Sequence, residues 1–119
     1  MSKALGSIIV LALMSACGGS APVPDAQRTE TLAAIRAAEE VGAPTVPQAA
    51  LHLKMARDQI ASAEALIRDD ENEQAALVLL RAQADAELAL ELSREHQMIE
   101  EARAARAKVE ELQQEVSGK

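Results

Sequence analysis

The thiol of Cys17 is the side chain whose surroundings most clearly indicate covalent chemistry. An apolar run, 4–14, begins after the positive charge of Lys3, and the small residues Ser15 and Ala16 separate that run from the cysteine. This order is typical of a bacterial lipoprotein signal, whose peptidase needs small residues in its cleft. We therefore expect cleavage between Ala16 and Cys17 and a thioether-linked lipid on the cysteine, with fatty acyl chains such as palmitate.

An ordinary cleaved signal with an unrelated cysteine is the alternative. Cys17 is the only cysteine, so an intrachain disulfide is excluded, and a free thiol would be a liability in an oxidising periplasm. Gly18 follows it, where an aspartate would resemble the inner-membrane retention signal of enterobacteria. We therefore expect a lipid anchor in the outer membrane of a Gram-negative bacterium, facing the periplasm. No apolar run reaches the ~18 residues of a membrane span.

The two histidines and an acidic run are the candidate metal ligands. If the helices that carry His52 and His96 pair antiparallel, the two side chains lie about 10 Å apart, too far for ligand bonds of about 2 Å to one ion. If the acidic run 69–73 began a calcium loop at Asp69, its sixth and twelfth positions, which need glycine and glutamate, would be Gln74 and Leu80. We therefore expect solvated histidines, a polar turn and no metal site.

Catalytic groups of other kinds are equally isolated. The serines lie in no nucleophile motif, and no glycine-rich phosphate loop is present. The carboxylate pairs Glu39-Glu40 and Glu110-Glu111 have no aromatic or apolar pocket that could shift their pKa values. We therefore predict that the protein is not an enzyme and has no cofactor beyond the covalent lipid.

Composition indicates a small, weakly packed domain. The chain has 119 residues, 26 of them alanine, and no Phe, Tyr or Trp, so helices can approach closely but bury little area per residue. Without aromatic side chains the protein cannot stack on nucleic-acid bases, and it lacks the large anchor residues that are typical of tight binding sites. The net charge of −7 repels phosphate groups, which disfavours nucleic-acid binding and electrostatic membrane adhesion.

Proline and glycine divide the chain after its signal. We predict a signal peptide at 1–16, a flexible tether at 17–24, a three-helix bundle at 25–95 and an extended helical tail at 96–119. The first helix runs from a cap at Asp25 to Val41, before Gly42. The second starts at a capping box of Thr45 and Gln48, and folds against the first. The third runs without interruption from Glu71 to Val116.

Apolar residues at helical spacing predict the buried faces. On the first helix they are Leu32, Ile35, Ala38 and Val41; on the second they are Ala49, Leu53, Ala56, Ile60, Ala63 and Ile67; on the third they are Leu77, Leu80, Ala84, Leu88 and Leu92. The tail continues with strict coiled-coil spacing at Met98, Ala102, Ala105, Val109, Leu112 and Val116. The fold class is all-α: a short helix and an antiparallel helical hairpin, with the last helix extended as a coiled-coil-like tail.

A further set of residues carries a family resemblance over residues 30–92. These are Ala34-Ile35, Ala38-Glu39, Gly42-Ala43, Pro47, Leu53, Ala56, Ile60, Ala63-Glu64, Asp69-Asp70, Ala75, Leu79 and Asp85-Ala86-Glu87-Leu88-Ala89. They resemble an uncharacterised family of small, Ala-rich bacterial lipoproteins, filed as a domain of unknown function. The resemblance implies a helical hairpin, found alone or ahead of peptidoglycan-binding OmpA-like domains, and no active site. The family usually has glycine where this chain has Asp69.

These features predict an interaction or spacer module held in the periplasm by its lipid. The tail has nothing left in the chain to pack on and points away from the membrane, so residues 98–116 are expected to contact a helical protein partner or another copy. The alternative is envelope anchoring through Lys119, which resembles the C-terminal lysine that links the major outer-membrane lipoprotein of enteric bacteria to peptidoglycan.

Overall fold

The structure, a computed structural model, describes residues 21–118. The signal peptide, the lipidation site Cys17 with its cleavage site, and Lys119 lie outside these residues. Helix α1 spans Asp25–Glu40, a 3₁₀ turn spans Ala43–Thr45, α2 spans Pro47–Arg68, and α3 spans Asn72–Ser117. No strand occurs between residues 21 and 118, so the all-α prediction with a long last helix is confirmed.

Two positive-φ residues make the turns of the hairpins. Gly42 has φ 94° and its N–H donates to Glu39 O at 3.0 Å, which ends α1. Asp70 has φ 60°, its N–H donates to Ile67 O at 3.2 Å, and the Glu71 N–H donates to Leu66 O at 2.9 Å. This is a Schellman end with Asp70 in the left-handed position that glycine usually occupies.

Two predicted caps are wrong. Pro24 is the N-cap of α1 and Asp25 is its first residue. Thr45 does not cap α2, because its hydroxyl donates back to Gly42 O at 2.8 Å inside the 3₁₀ turn. Val46 is the N-cap of α2, and Pro47 follows at the first helical position, where its missing N–H and fixed φ are tolerated.

Polar contacts fix the directions of the three helices. Arg28 with Glu64 and Glu39 with Arg57 pair α1 antiparallel to α2. Two hydrogen bonds show that α1 runs parallel to α3. The Thr31 hydroxyl donates to Leu79 O, and Gln97 donates to Val41 O, which follows the last residue of α1. Contrary to expectation, α1 packs more extensively against α3 than against α2.

Alanine dominates the core. The predicted stripe of α2 is buried from Ala49 to Ala63, while Ile67 is half-buried. On α1, Ile35 and Ala38 are buried and Thr31 replaces the half-buried Leu32. The buried residues of the described part all lie between 31 and 93, so a chain of residues 21–118 keeps every side chain of this core.

The predicted buried face of α3 is wrong. Leu77, Leu80, Ala84 and Leu88 are exposed, and Leu92 is half-buried. The buried face is instead Ala75, Leu79, Ala82, Ala86, Ala89 and Ser93. Both rows have helical spacing, but the small residues let α1 and α2 approach the α3 backbone closely, whereas a row of leucines would hold the helices apart.

Candidate functional site

Beyond Gln97, the tail of α3 makes no hydrogen bond or ion pair with the bundle in the described chain. The last buried residue is Ser93, and every residue from 94 to 118 is exposed. Gln97 makes the last polar contact between α3 and the bundle, donating to Val41 O at 2.9 Å. Since α3 continues for about 30 Å beyond that point, the tail stands clear of α1 and α2.

Apolar side chains share one side of this tail. Exposure reaches 62% at Met98, 53% at Val109, 48% at Leu112 and 78% at Val116. With 3.6 residues per turn, the predicted stripe of six residues lies about 140° around the helix from the buried face of α3. The stripe therefore points away from the bundle, as a surface for something outside this chain would.

Ile99 is a further exposed apolar residue of the tail that is missing from the predicted stripe, and it lies about 100° around the helix from the centre of that stripe. It is 42% exposed and flanks Met98. With Leu92 and His96 it lines a small groove, about 180 Å³, next to the 3₁₀ turn at the base of the tail. The adjacent pair Met98-Ile99 is the sequence signal that could have revealed it.

Charged residues cover the other sides of the tail. Arg103 pairs with Glu100 at 2.6 Å and Lys108 with Glu111 at 2.8 Å, each one turn apart on the helix. Such exposed pairs contribute little to stability, on the order of 0.3–0.5 kcal/mol. They leave the apolar side of the tail open.

A second apolar row lies on the bundle part of α3. Leu77, Leu80, Ala84 and Leu88 form this outer leucine row, about 175° from the buried face. It is in rough line with the tail stripe, but Glu91 and Glu95 lie between the two. The tail stripe is therefore a separate surface, which begins at Met98.

The two histidines are not brought together. Nδ1 of His52 donates to Oδ1 of Asp85 at 2.8 Å across the α2–α3 interface, and Gln59 Nε2 donates to the other carboxylate oxygen at 2.8 Å. His52 is half-buried in this contact, so the expectation that both histidines are solvated is wrong for His52. His96 is exposed and lies eleven residues beyond Asp85, about 16 Å along α3.

Other candidate chemistry is also accounted for locally. Ser93 is buried and its hydroxyl donates to Ala89 O at 2.8 Å. Of the run 69–73, residues 69–71 form the turn between α2 and α3, and Asn72 and Glu73 begin α3. Residues 21–118 contain no cluster of three potential metal ligands, and no helix there is long and apolar enough to cross a membrane.

Comparison with known proteins gives one match. The family model described as "Domain of unknown function (DUF4398)" matches residues 26–106, which cover the bundle from the second residue of α1 and the first part of the tail. No curated protein and no solved structure matches the chain.

Proposed function

The chain belongs to the DUF4398 family, whose function is unknown, and we propose that it is a non-enzymatic lipoprotein that presents the tail of α3 to a protein partner in the periplasm. The lipid on Cys17 holds it in the outer membrane, and residues 98–116 are the contact surface. The observation that carries the proposal is the exposed apolar stripe on a helix segment that contains no buried residue and extends beyond the bundle.

The positions of the two ends support this arrangement. Asn72, the first residue of α3, donates to Ala21 O at 2.7 Å. Cys17 precedes Ala21 by four residues, and a chain of that length spans at most about 14 Å. The 46 residues of α3 then extend for about 69 Å, and the tail leaves the bundle at the opposite end. A lipid at Cys17 therefore fixes one end and leaves the stripe far from the bilayer.

The anchor is tested by mass spectrometry of the protein purified from membranes. We expect the signal to be removed and a diacylglyceryl group to be present on Cys17. Cys17→Ser should release the protein from the membrane fraction. An unmodified thiol at Cys17 would contradict the anchor without bearing on the tail.

The contact surface is tested by photo-crosslinking in cells. A photoreactive residue at Gln113, on the side of the stripe, should give an adduct on illumination. The same residue at Gln114, about 160° from the centre of the stripe, is the matched control and should give none. If neither position gives an adduct, the tail is not a contact surface.

Envelope anchoring through Lys119 is the second candidate. It is favoured by the position of the last described residues of α3, at the far end of the molecule from Ala21. Peptidoglycan isolated after boiling in detergent should then retain the protein, and a Lys119→Arg variant should be lost. Peptidoglycan free of the unaltered protein would exclude this function.

A further inference from the structure

We infer that the tail of α3 binds a second copy of this chain, in parallel and in register, along residues 98–116. The inference rests on the proposed function only in taking the tail as the contact surface, and it does not require the lipid. What identifies the occupant is the charge pattern beside the stripe, which a second copy complements in one orientation and repels in the other.

The stripe has the alternating spacing of three and four that a two-stranded coiled coil requires. Met98, Ala105 and Leu112 occupy the d positions, and Ala102, Val109 and Val116 occupy the a positions. All six are exposed in the chain. A second copy of the helix would cover all of them at once, because each a or d side chain meets its equivalent in a parallel pair.

Two charges beside the stripe are complementary between parallel copies. Glu101 precedes an a position and Arg106 follows a d position, so Glu101 of each copy lies next to Arg106 of the other. Within residues 21–118 neither residue makes an ion pair, whereas Lys108, which also precedes an a position, is already paired with Glu111 of its own helix. The two charges that a parallel copy would use are thus available.

The antiparallel alternative is repelled by the same charges. The register that opposes Met98 to Val116 and covers the whole stripe brings Arg106 against Arg106 of the second copy. It also brings Glu101 against Glu115. Since like charges across a coiled coil select against a pairing, the parallel orientation is favoured.

The bundle leaves room for this pair and limits its length. Helices α1 and α2 cover a side of α3 about 140° from the stripe, so both bundles lie outside the pair. The same heptad register, continued towards the bundle, places Glu91 at d and Glu95 at a. Parallel copies would oppose these carboxylates, so the contact begins at Met98. Two chains anchored in one membrane would also stand parallel.

Sedimentation equilibrium of residues 21–118 tests the association. We expect monomers to convert to dimers between about 10 µM and about 1 mM, because six layers with two alanines make a short interface. Val109→Glu should weaken the dimer at least about tenfold. Ala107→Glu adds the same charge on the other side of the tail and should leave it unchanged. Circular dichroism should show a folded bundle in both variants.

Charge exchange tests the specific pairing. Arg106→Glu should weaken the dimer by placing it against Glu101, and adding Glu101→Arg should restore the original affinity. Failure of the double variant to recover would overturn the assigned pairs.

Cysteine crosslinking tests the orientation, since residues 21–118 contain no cysteine. Val116→Cys chains should form disulfides with each other on oxidation. Disulfides only between Met98→Cys and Val116→Cys chains would show an antiparallel pair and overturn the inference. So would a monomer at every concentration. If Gln113 then crosslinked to a different protein in cells, the tail would remain a contact surface and only the second copy would be excluded.

Discussion

His52 on α2 and Asp85 on α3 are joined by a 2.8 Å hydrogen bond that crosses the interface between the two helices. The Asp85 side chain is only 16% exposed, and both of its oxygens have partners, because Gln59 donates to the second one. This cluster is the most buried polar contact between α2 and α3. Because the alanines of the interface are alike, shifting one helix along the other would cost little without these hydrogen bonds, so the cluster favours one register of the two helices.

Asp85→Ala should lower the free energy of unfolding by about 1–2 kcal/mol, because His52 and Gln59 lose their acceptor at a half-buried site. Urea denaturation of residues 21–118 measures the change. Asp58→Ala is the control: Asp58 pairs with Lys54 on the exposed side of α2, so its loss should stay within about 0.5 kcal/mol. Equal losses in the two variants would show that the cluster does not stabilise the interface.

Two neighbouring leucines test which face of α3 is buried. Leu79 is 0% exposed and Leu80 is 55% exposed. Leu79→Ala should reduce the free energy of unfolding by about 2–5 kcal/mol by leaving a cavity, whereas Leu80→Ala should change it by less than about 0.5 kcal/mol. Thermal denaturation distinguishes them, and the reverse order would restore the face predicted from the sequence.

Enlarging an alanine tests how closely the helices approach. Ala86 is buried, and Ala84 lies two residues away in the exposed leucine row. Ala86→Leu should destabilise the bundle by about 1–3 kcal/mol or more through overpacking. Ala84→Leu should be tolerated. A neutral Ala86→Leu variant would mean that the space between the helices is larger than described.

The turn after α1 tests the left-handed backbone at Gly42. A Cβ there would meet Thr45 Oγ1 at 3.6 Å, an ordinary contact, so the cost of Gly42→Ala comes from its φ of 94°. We expect a loss of about 1–2 kcal/mol in urea denaturation. Gly118→Ala, at a residue with φ −86°, should have no such effect. If both variants were equally stable, the turn would have to relax to a different backbone conformation.

Hydrogen exchange should divide α3 into two parts. In dilute solution, amides of residues 100–115 should exchange fast, because a helix of this length without tertiary contacts is marginal in water. Amides of residues 75–93 should be protected by the core. Raising the concentration should slow exchange in the tail of the unaltered chain but not in Val109→Glu. Uniform protection of α3 at low concentration would contradict this division.

The helix boundaries and the two places where the chain reverses direction followed from local signals in the sequence. Gly42 ended α1, the acidic residues 69–71 formed the second turn, and the absence of Gly and Pro kept α3 continuous. The stripes of α1 and α2 were mainly right because each has only one well-formed apolar row. The all-α fold could therefore be predicted before any tertiary contact was known.

The buried face of α3 could not be predicted in this way. Leu77, Leu80 and Leu88 outrank Ala75, Ala82 and Ala86 in hydrophobicity, so a ranking by apolar area selects the wrong row. What decides is the distance between helix axes, a property of the assembled bundle. The His52–Asp85 contact was missed for the same reason. The two side chains meet only if the side of α3 that carries Asp85 faces α2.

Because α3 is one unbroken helix from Asn72 to Ser117, each residue changes both the distance of the stripe from the bundle and the direction in which the stripe points. Seven residues inserted near Gln97 would raise the stripe by about 10 Å and turn it by only about 20°. Two inserted residues would raise it by about 3 Å but swing it to the opposite side of the molecule. Length changes in this segment therefore keep the direction of the stripe only when they are close to a whole number of turns, as with seven or eleven residues, and other steps turn the stripe away from its partner.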